Sequence, residues 1–253
     1  MKNVYFIEGA RTPFLRSGTE YKDLMSWELG MYAIKGLMQR VPVHGSDIDK
    51  VVMGTTISNI QTGNVARESA VMAGIAESTP CHTVTQACIS ANQAICSGAE
   101  SIMLGKASIV IAGGVDNVSD TPIGFPKKMR KKLFEAQKLK GLGDSIQFAL
   151  SLRISDFIPE RPAIAEYLTG RTMGQDCEIL TSRFSISRES QDEWAYRSHQ
   201  LAHKAWEQGF LSDIIPVQLP PAFQSISKDN GVRGDTSLER LASLKPAFDE
   251  ALS

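Results

Sequence analysis

One cysteine stands where it could do chemistry. The run Thr83-Val84-Thr85-Gln86-Ala87-Cys88-Ile89-Ser90-Ala91-Asn92-Gln93-Ala94 passes from β-branched residues to small, helix-compatible ones. Cys88 therefore falls where a strand gives way to a helix. A thiol placed there faces unpaired N–H groups and the positive end of a helix dipole, which favours the nucleophilic thiolate. Backbone N–H groups of the same turn could also receive the oxyanion of a carbonyl under attack. The competing reading is a small buried hydrophobe, the commoner fate of a free cysteine. Cys81, Cys96 and Cys177 have no comparable context and carry only that second reading. His199 and His203 are one helical turn apart, as metal ligands can be, but no carboxylate or cysteine completes a set. They read as a solvated helix face, and no metal is expected. His82, in the strand approaching Cys88, reads as structural, and His44, beside Gly45, as part of a turn.

The position of Cys88 depends on the elements around it. Val4 to Ile7 is an apolar run ended by Gly9 and predicts a buried strand. Between Asp23 and Arg40, Leu24, Trp27, Met31, Ile34 and Leu37 recur in steps of three and four and predict a helix with one apolar face. A capped turn at Ser46-Asp47-Ile48 leads to a strand at Val51–Met53. Asn64–Ala73, closed by Gly74, reads as a helix, and Thr83–Thr85 as a strand. Ile89–Leu104 is a helix with Gly105 at its C′ position, followed by a strand at Ser108–Ala112. Strands alternating with helices imply an α/β protein with a largely parallel sheet.

The pattern breaks after Pro122. Lys127, Lys128, Arg130, Lys131, Lys132, Lys138 and Lys140 place seven of the 27 basic residues between 127 and 140, against one acid, Glu135. The apolar stretch from Ile146 to Ile154 follows, which marks an insertion over about 123–160. Thr172-Met173-Gly174-Gln175 has capping-box spacing. A long helix is expected from near Ser187 to Gly209, with Trp194, Ser198, Leu201, Ala202 and Ala205 as its apolar stripe.

Composition narrows the function classes. The chain has 253 residues, 27 Lys plus Arg and 28 Asp plus Glu, and a formal charge of −1. That balance argues against a dedicated nucleic-acid binder. A 42% hydrophobic and 22% charged chain is an ordinary folded one. Four scattered cysteines make no disulfide framework and point to a reducing compartment. No apolar run approaches a membrane span. The chain moves at once into a strand-like run, so no targeting segment is expected.

The order of several motifs resembles the N-terminal half of the thiolase family. These are Gly9-Ala10-Arg11-Thr12-Pro13-Phe14, Asn64-Val65-Ala66-Arg67, Ala87 through Ala94, Ala112-Gly113-Gly114-Val115, Met173-Gly174, Ser187 through Asp192, and Leu244-Lys245-Pro246-Ala247-Phe248. The resemblance spans essentially the whole chain and is nearest to the branch of trifunctional-complex β-subunits, which are 3-ketoacyl-CoA thiolases. Thr172 replaces the histidine that biosynthetic relatives carry before the Met-Gly pair, which also points to the degradative branch. The fold implied is a thiolase-like βαβαβ core half over 1–121, with a mixed, largely parallel sheet. A mainly helical CoA-binding loop region over 122–253 follows, and the C-terminal domain is expected to be absent.

The resemblance implies that Cys88 attacks the keto carbon of a 3-ketoacyl-CoA and carries the shortened acyl group as a thioester in fatty-acid β-oxidation. Coenzyme A is then a substrate and no bound cofactor is implied. Met173, Arg233 and Phe248 match positions that contact CoA; Arg233 would meet a phosphate or the adenine, and Phe248 the pantetheine. A solvated loop charge and plain core packing are the competing readings of Arg233 and Phe248. The family also uses a histidine, a second cysteine and an asparagine from its second half, in Asn-Glu-Ala-Phe, Gly-His-Pro and Cys-x-Gly strings, and these are expected to be missing. Implied partners are acyl-CoA and CoA, and a second copy or a β-oxidation partner subunit. The segment 127–154 is a candidate for peripheral membrane contact, with Leu133, Phe134, Phe148 and Leu152 toward the lipid; a solvated helix face is the alternative. Acetyl-CoA acetyltransfer and a non-catalytic interaction domain are the competing functions. The compartment would be the cytoplasm of a bacterium or the mitochondrion of a eukaryote.

Overall fold

A computed structural model describes residues 2–248. Two compact units are present among the described residues, one joining 2–120 with 174–248, the other formed by 121–173. Residues 174–248, which the sequence reading grouped with the insertion, cluster with 2–120.

The core of the larger unit is a parallel sheet of β1 (Lys50–Gly54), β2 (Cys81–Val84) and β3 (Val110–Gly114), in the order β2-β1-β3. Central β1 is buried on both faces: Val51 and Val52 are fully buried and Met53 nearly so. Val51 and Met53 pack into one cluster with Ile34 of α1 (Ser26–Met38), Val65, Ala66 and Ala70 of α2 (Val65–Met72), and Ile111 of β3. The alternate residues of the strands face α3 (Ser90–Met103), as period two requires. A Cβ on Gly98 of α3 would stand 3.0 Å from Val110 and 3.4 Å from Ala112. The connection β1–α2–β2 runs to one edge of the sheet and β2–α3–β3 crosses back over β1 to the other, and their helices cover opposite faces.

Local signals act as the sequence reading expects at several termini. Asn64 caps α2 by accepting from Arg67 N at 3.3 Å. Gly74 and Gly105 take positive φ, +94° and +71°, just past α2 and α3. α6 (Met173–Arg183) begins within the capping-box string, and Ser187 caps α7 (Arg188–Glu207). Elsewhere packing overrules the pattern. Tyr5, Phe6 and Ile7 form no strand and are 72–85% exposed, because no strand lies alongside them. Trp194 and Leu201 of α7 are also exposed; the packed side of that helix faces α8 (Leu238–Ala242) and the 233–234 loop through Arg188, His199 and Gln200. The hairpin of β4 (Val217–Leu219) and β5 (Gln224–Ile226) was not among the expected elements.

In the smaller unit, α4 (Lys127–Ala136) packs with α5 (Leu142–Ser151) and a short 3-10 turn at Ile154–Phe157. Lys132 Nζ pairs with buried Asp156 at 2.6 Å, and this bond holds the Asp156 carboxyl below the usual range.

The N-terminal segment of the larger unit is fastened by a clasp. Arg11 donates two parallel bonds to Asp229, at 2.8 and 2.9 Å, and Phe14 N donates to the same carboxylate at 2.7 Å. Burial opposes charge on Asp229, but the guanidinium and the Phe14 N–H outweigh it and hold the carboxyl below the usual range. A depressed folded-state value means that the stabilisation is complete above about pH 4 and is lost as the pH falls through the folded value. Asp229→Asn is therefore expected to lower stability by about 1–2 kcal/mol at pH 7. The gap to wild type should close below about pH 4, read from urea midpoints between pH 3 and 7; a gap that does not vary with pH would show that the clasp is not ionic.

Candidate active site

Cys88 lies in the turn between the end of β2 and the start of α3, at the open carboxyl ends of the strands, and is exposed. Two glycines bring the helix down onto the sheet. A Cβ on Gly54, the last residue of β1, would overlap the backbone of Ser90, and one on Gly114, the last of β3, would stand 2.7 Å from the Ala91 Cβ. The first turn of α3 therefore rests on strand ends stripped of side chains. A larger residue at either glycine would push α3, and Cys88 with it, off the sheet.

The turn itself is bent at Ala87, whose φ is +49°. A residue with a Cβ pays about 1–2 kcal/mol for that left-handed conformation, so its surroundings must hold it. They do so through one carbonyl. Ala87 O accepts from the Ser90 hydroxyl at 2.6 Å, from Ser90 N at 3.2 Å and from the Thr56 hydroxyl at 2.9 Å. Ser90 Oγ also accepts from Gln86 N at 2.8 Å. Thr56 belongs to the loop after β1, and that loop is gathered by Asp116, just past β3. The Asp116 carboxylate accepts from Thr55 Oγ1 at 2.8 Å, Thr56 N at 3.0 Å and Ile57 N at 2.8 Å. Asp116 thus fixes the loop after β1, and Thr56 ties that loop to the Cys88 turn. Thr56, Asp116 and the two glycines were not among the expected site residues; the glycines ending Val51-Val52-Met53-Gly54 and Ala112-Gly113-Gly114 were the available signal.

The remaining residues divide into separate places. Arg233 is exposed, and its N–H donates to His199 Nδ1 at 3.2 Å. It lines a hollow with Asp235, Thr236, Arg240 and Leu244. Leu244 also borders a second hollow, walled by the end of α6, the start of α7 and Phe248. The Phe248 ring sits where a Cβ on Gly174 would be, so it meets the start of α6, the helix that Met173 opens. Arg233 and Phe248 therefore flank adjoining hollows, and neither hollow includes Cys88. His203 packs against Gly234 and pairs with Glu207, as a helix-face residue does. Among the described residues no three His, Cys, Asp or Glu are grouped to hold a metal. Cys96-Ser97-Gly98 does spell Cys-x-Gly, contrary to the expectation that this string is missing, but it lies inside α3, where Gly98 is a packing position.

Cys81 is half-buried, and burial pushes its thiol up against a smaller opposing influence of Arg67. Cys88, Cys96 and Cys177 are exposed, and of these only Cys88 precedes a helix at a bent turn. Dilute iodoacetamide followed by mass mapping should label Cys88 first and Cys81 last. Equal rates at Cys88 and Cys96 would remove the distinction drawn from the turn.

Comparison with known proteins agrees with this architecture. The model of the family described as "Thiolase, N-terminal domain" matches residues 4–251. "Trifunctional enzyme subunit beta, mitochondrial" of Macaca fascicularis is 46% identical over 248 residues, covering 98% of this chain and 52% of the relative. A "3-ketoacyl-CoA thiolase" of Yersinia pestis is 38% identical over 247 residues, covering 97% and 57%. The crystal structure of the Bacillus anthracis acetyl-CoA acetyltransferase superposes with a TM-score of 0.78 at 30% identity, covering 96% of this chain and 58% of that one. The chain spans about half the length of the curated relatives it matches.

Proposed function

The chain belongs to the thiolase N-terminal domain family, and we propose that it supplies the nucleophile of a 3-ketoacyl-CoA thiolase of fatty-acid β-oxidation. The observation that carries this reading is the exposed Cys88 on a strained strand–helix turn whose bend is held by Ser90 and by Thr56 of the loop after β1. Cys88 Sγ attacks the keto carbon and displaces the electrons of the C2–C3 bond. The acetyl-CoA enolate takes up a proton and leaves, and the acyl chain remains as a thioester on Cys88. The thiol of a second CoA attacks that thioester, and Cys88 is released. Met173, Arg233 and Phe248 are proposed CoA contacts, supported by the adjoining hollows at Arg233 and Phe248. The same nucleophile would serve acetyl transfer, the activity named for the Bacillus anthracis relative, but identity is higher to the trifunctional β-subunits.

The two proton transfers need a base and an acid, and no Asn-Glu-Ala-Phe or Gly-His-Pro string occurs in these 253 residues. The 253-residue chain alone is therefore expected to show no measurable thiolysis of a 3-ketoacyl-CoA. Addition of a polypeptide bearing those strings should restore it, and Cys88→Ala should abolish it again. Turnover that survives Cys88→Ala would overturn the reading.

A binding partner is supported by the area left uncovered. The chain exposes 17355 Å². A monomer of 27.6 kDa is expected to expose about 11,000 Å², or about 13,000 Å² if its two units are counted separately. The surplus includes Tyr5, Phe6, Ile7 and Ile60. We propose a second copy or a β-oxidation subunit as the cover, in the bacterial cytoplasm or the mitochondrion according to source.

Peripheral membrane contact through 127–154 is supported by two of the four residues expected to face lipid, Leu133 and Phe134, which are 39% and 68% exposed, and by a further row on α5. Phe148 and Leu152 are half-buried, whereas Leu142, Ile146 and Leu150, spaced by four on α5, are 85%, 60% and 82% exposed. Lys132 is engaged with Asp156 and Arg130 with Glu160, which leaves Lys127, Lys128, Lys131, Lys138 and Lys140 to face anionic lipid at about 1 kcal/mol each. No described helix is long and apolar enough to cross a membrane. Cosedimentation with phosphatidylserine or cardiolipin vesicles should fall about tenfold or more in Lys127/Lys128/Lys131→Glu and in Leu142/Ile146/Leu150→Ser. Equal sedimentation of both variants and wild type would return this stretch to a solvated face.

A further inference from the structure

We propose that Thr56 and Asp116 are positioning residues for Cys88. Asp116 fixes the loop after β1, and the Thr56 hydroxyl, aimed by that loop, holds the Ala87 carbonyl and with it the bend that presents the cysteine. The inference rests on the reading of Cys88 as nucleophile, and adds what sets its orientation.

One carboxylate collects donors from three consecutive residues, Thr55, Thr56 and Ile57. Such a loop cannot shift without breaking several charge-assisted bonds together. Its middle residue turns its hydroxyl to Ala87 O at 2.9 Å. The other two bonds to that carbonyl come from Ser90, three residues along the same turn. They hold the turn to the first residue of the helix that follows it. The Thr56 bond comes from a different strand, so it fixes the turn against the sheet. Without it, Ala87 can relax from φ +49° toward the negative φ that L-residues prefer. That relaxation rotates the Ala87–Cys88 peptide and swings the thiol off its bearing.

Thr56 is exposed, so altering it leaves the core intact, and Thr56→Val removes the hydroxyl at nearly constant volume. The test is the rate of Cys88 alkylation by iodoacetamide in the 253-residue chain, with Cys96 as the internal reference and the thermal midpoint as a check on folding. Thr56→Val is expected to slow Cys88 about five- to tenfold, the effect of one lost hydrogen bond on the presented conformation. Thr56→Ser should stay near wild type, and Cys96 should be unchanged in both. Asp116→Ala should also slow Cys88, and Thr56→Val should cost little more in that background, since both act through one contact. Wild-type rates in Thr56→Val, or a Thr56→Ser variant as slow as Thr56→Val, would overturn the positioning role and leave the nucleophile reading standing. A wild-type Cys88 no faster than Cys96 would overturn the nucleophile reading and this inference with it.

Discussion

Everything at this site follows from how closely α3 approaches the strand ends. A helix start can rest on a sheet at that distance only where the strands end without side chains, and Gly54 and Gly114 meet that demand on β1 and β3. Small residues answer from the helix: Ser90 and Ala94 are buried, and Gly98 takes up the contact with Val110 and Ala112 one turn farther on. The approach forces the chain between β2 and α3 into a short, sharply bent turn, and the bend falls at Ala87. The position of Cys88 is thus a consequence of steric economy around it. The hydroxyls of Ser90 and Thr56 convert that bend from a strained option into a fixed one.

Carboxylates do the fastening throughout the larger unit. Asp116 gathers the loop after β1, Asp229 holds the N-terminal segment through Arg11 and Phe14, and Asp49 receives Ser108 N and Ile109 N ahead of β3. Each is a short side chain accepting from backbone N–H groups that no ladder satisfies, which is what irregular segments need. Among the described residues none of these carboxylates hydrogen-bonds Cys88, so their work is to hold backbone.

Much of the fold was legible because it rests on local rules. Alternation of apolar runs with helical periodicity placed β1, α2 and α3, and glycines at Gly74 and Gly105 marked two helix ends. The strand–helix junction at Cys88 was legible for the same reason. Close approach was harder to read. Gly30 and Gly36 of α1 are buried because Ser69 and Ile215 press against them, and a count of apolar residues assigns such positions no weight. Long-range polar contacts were harder still. Nothing at Thr56 or Asp116 announces that residues 60 apart share a hydrogen bond, since spacing along the chain carries no such information. The strand expected at Val4–Ile7 failed for the opposite reason: its residues are strand formers, but a strand exists only where a neighbour supplies the other half of the ladder.

The exposed apolar residues bear on how the site is completed. Phe6, Ile7 and Ile60 are each more than 80% exposed, an apolar surface of the kind that further polypeptide covers. Ile60 lies in the same loop that Asp116 gathers and that carries Thr56, three residues beyond Ile57. A partner that covers Ile60 would meet a loop already fixed to the Cys88 turn, so docking and presentation of the thiol share one short piece of chain. Asp116 fixes that loop from within this chain, so the bend at Ala87 is held by residues that fold together with it.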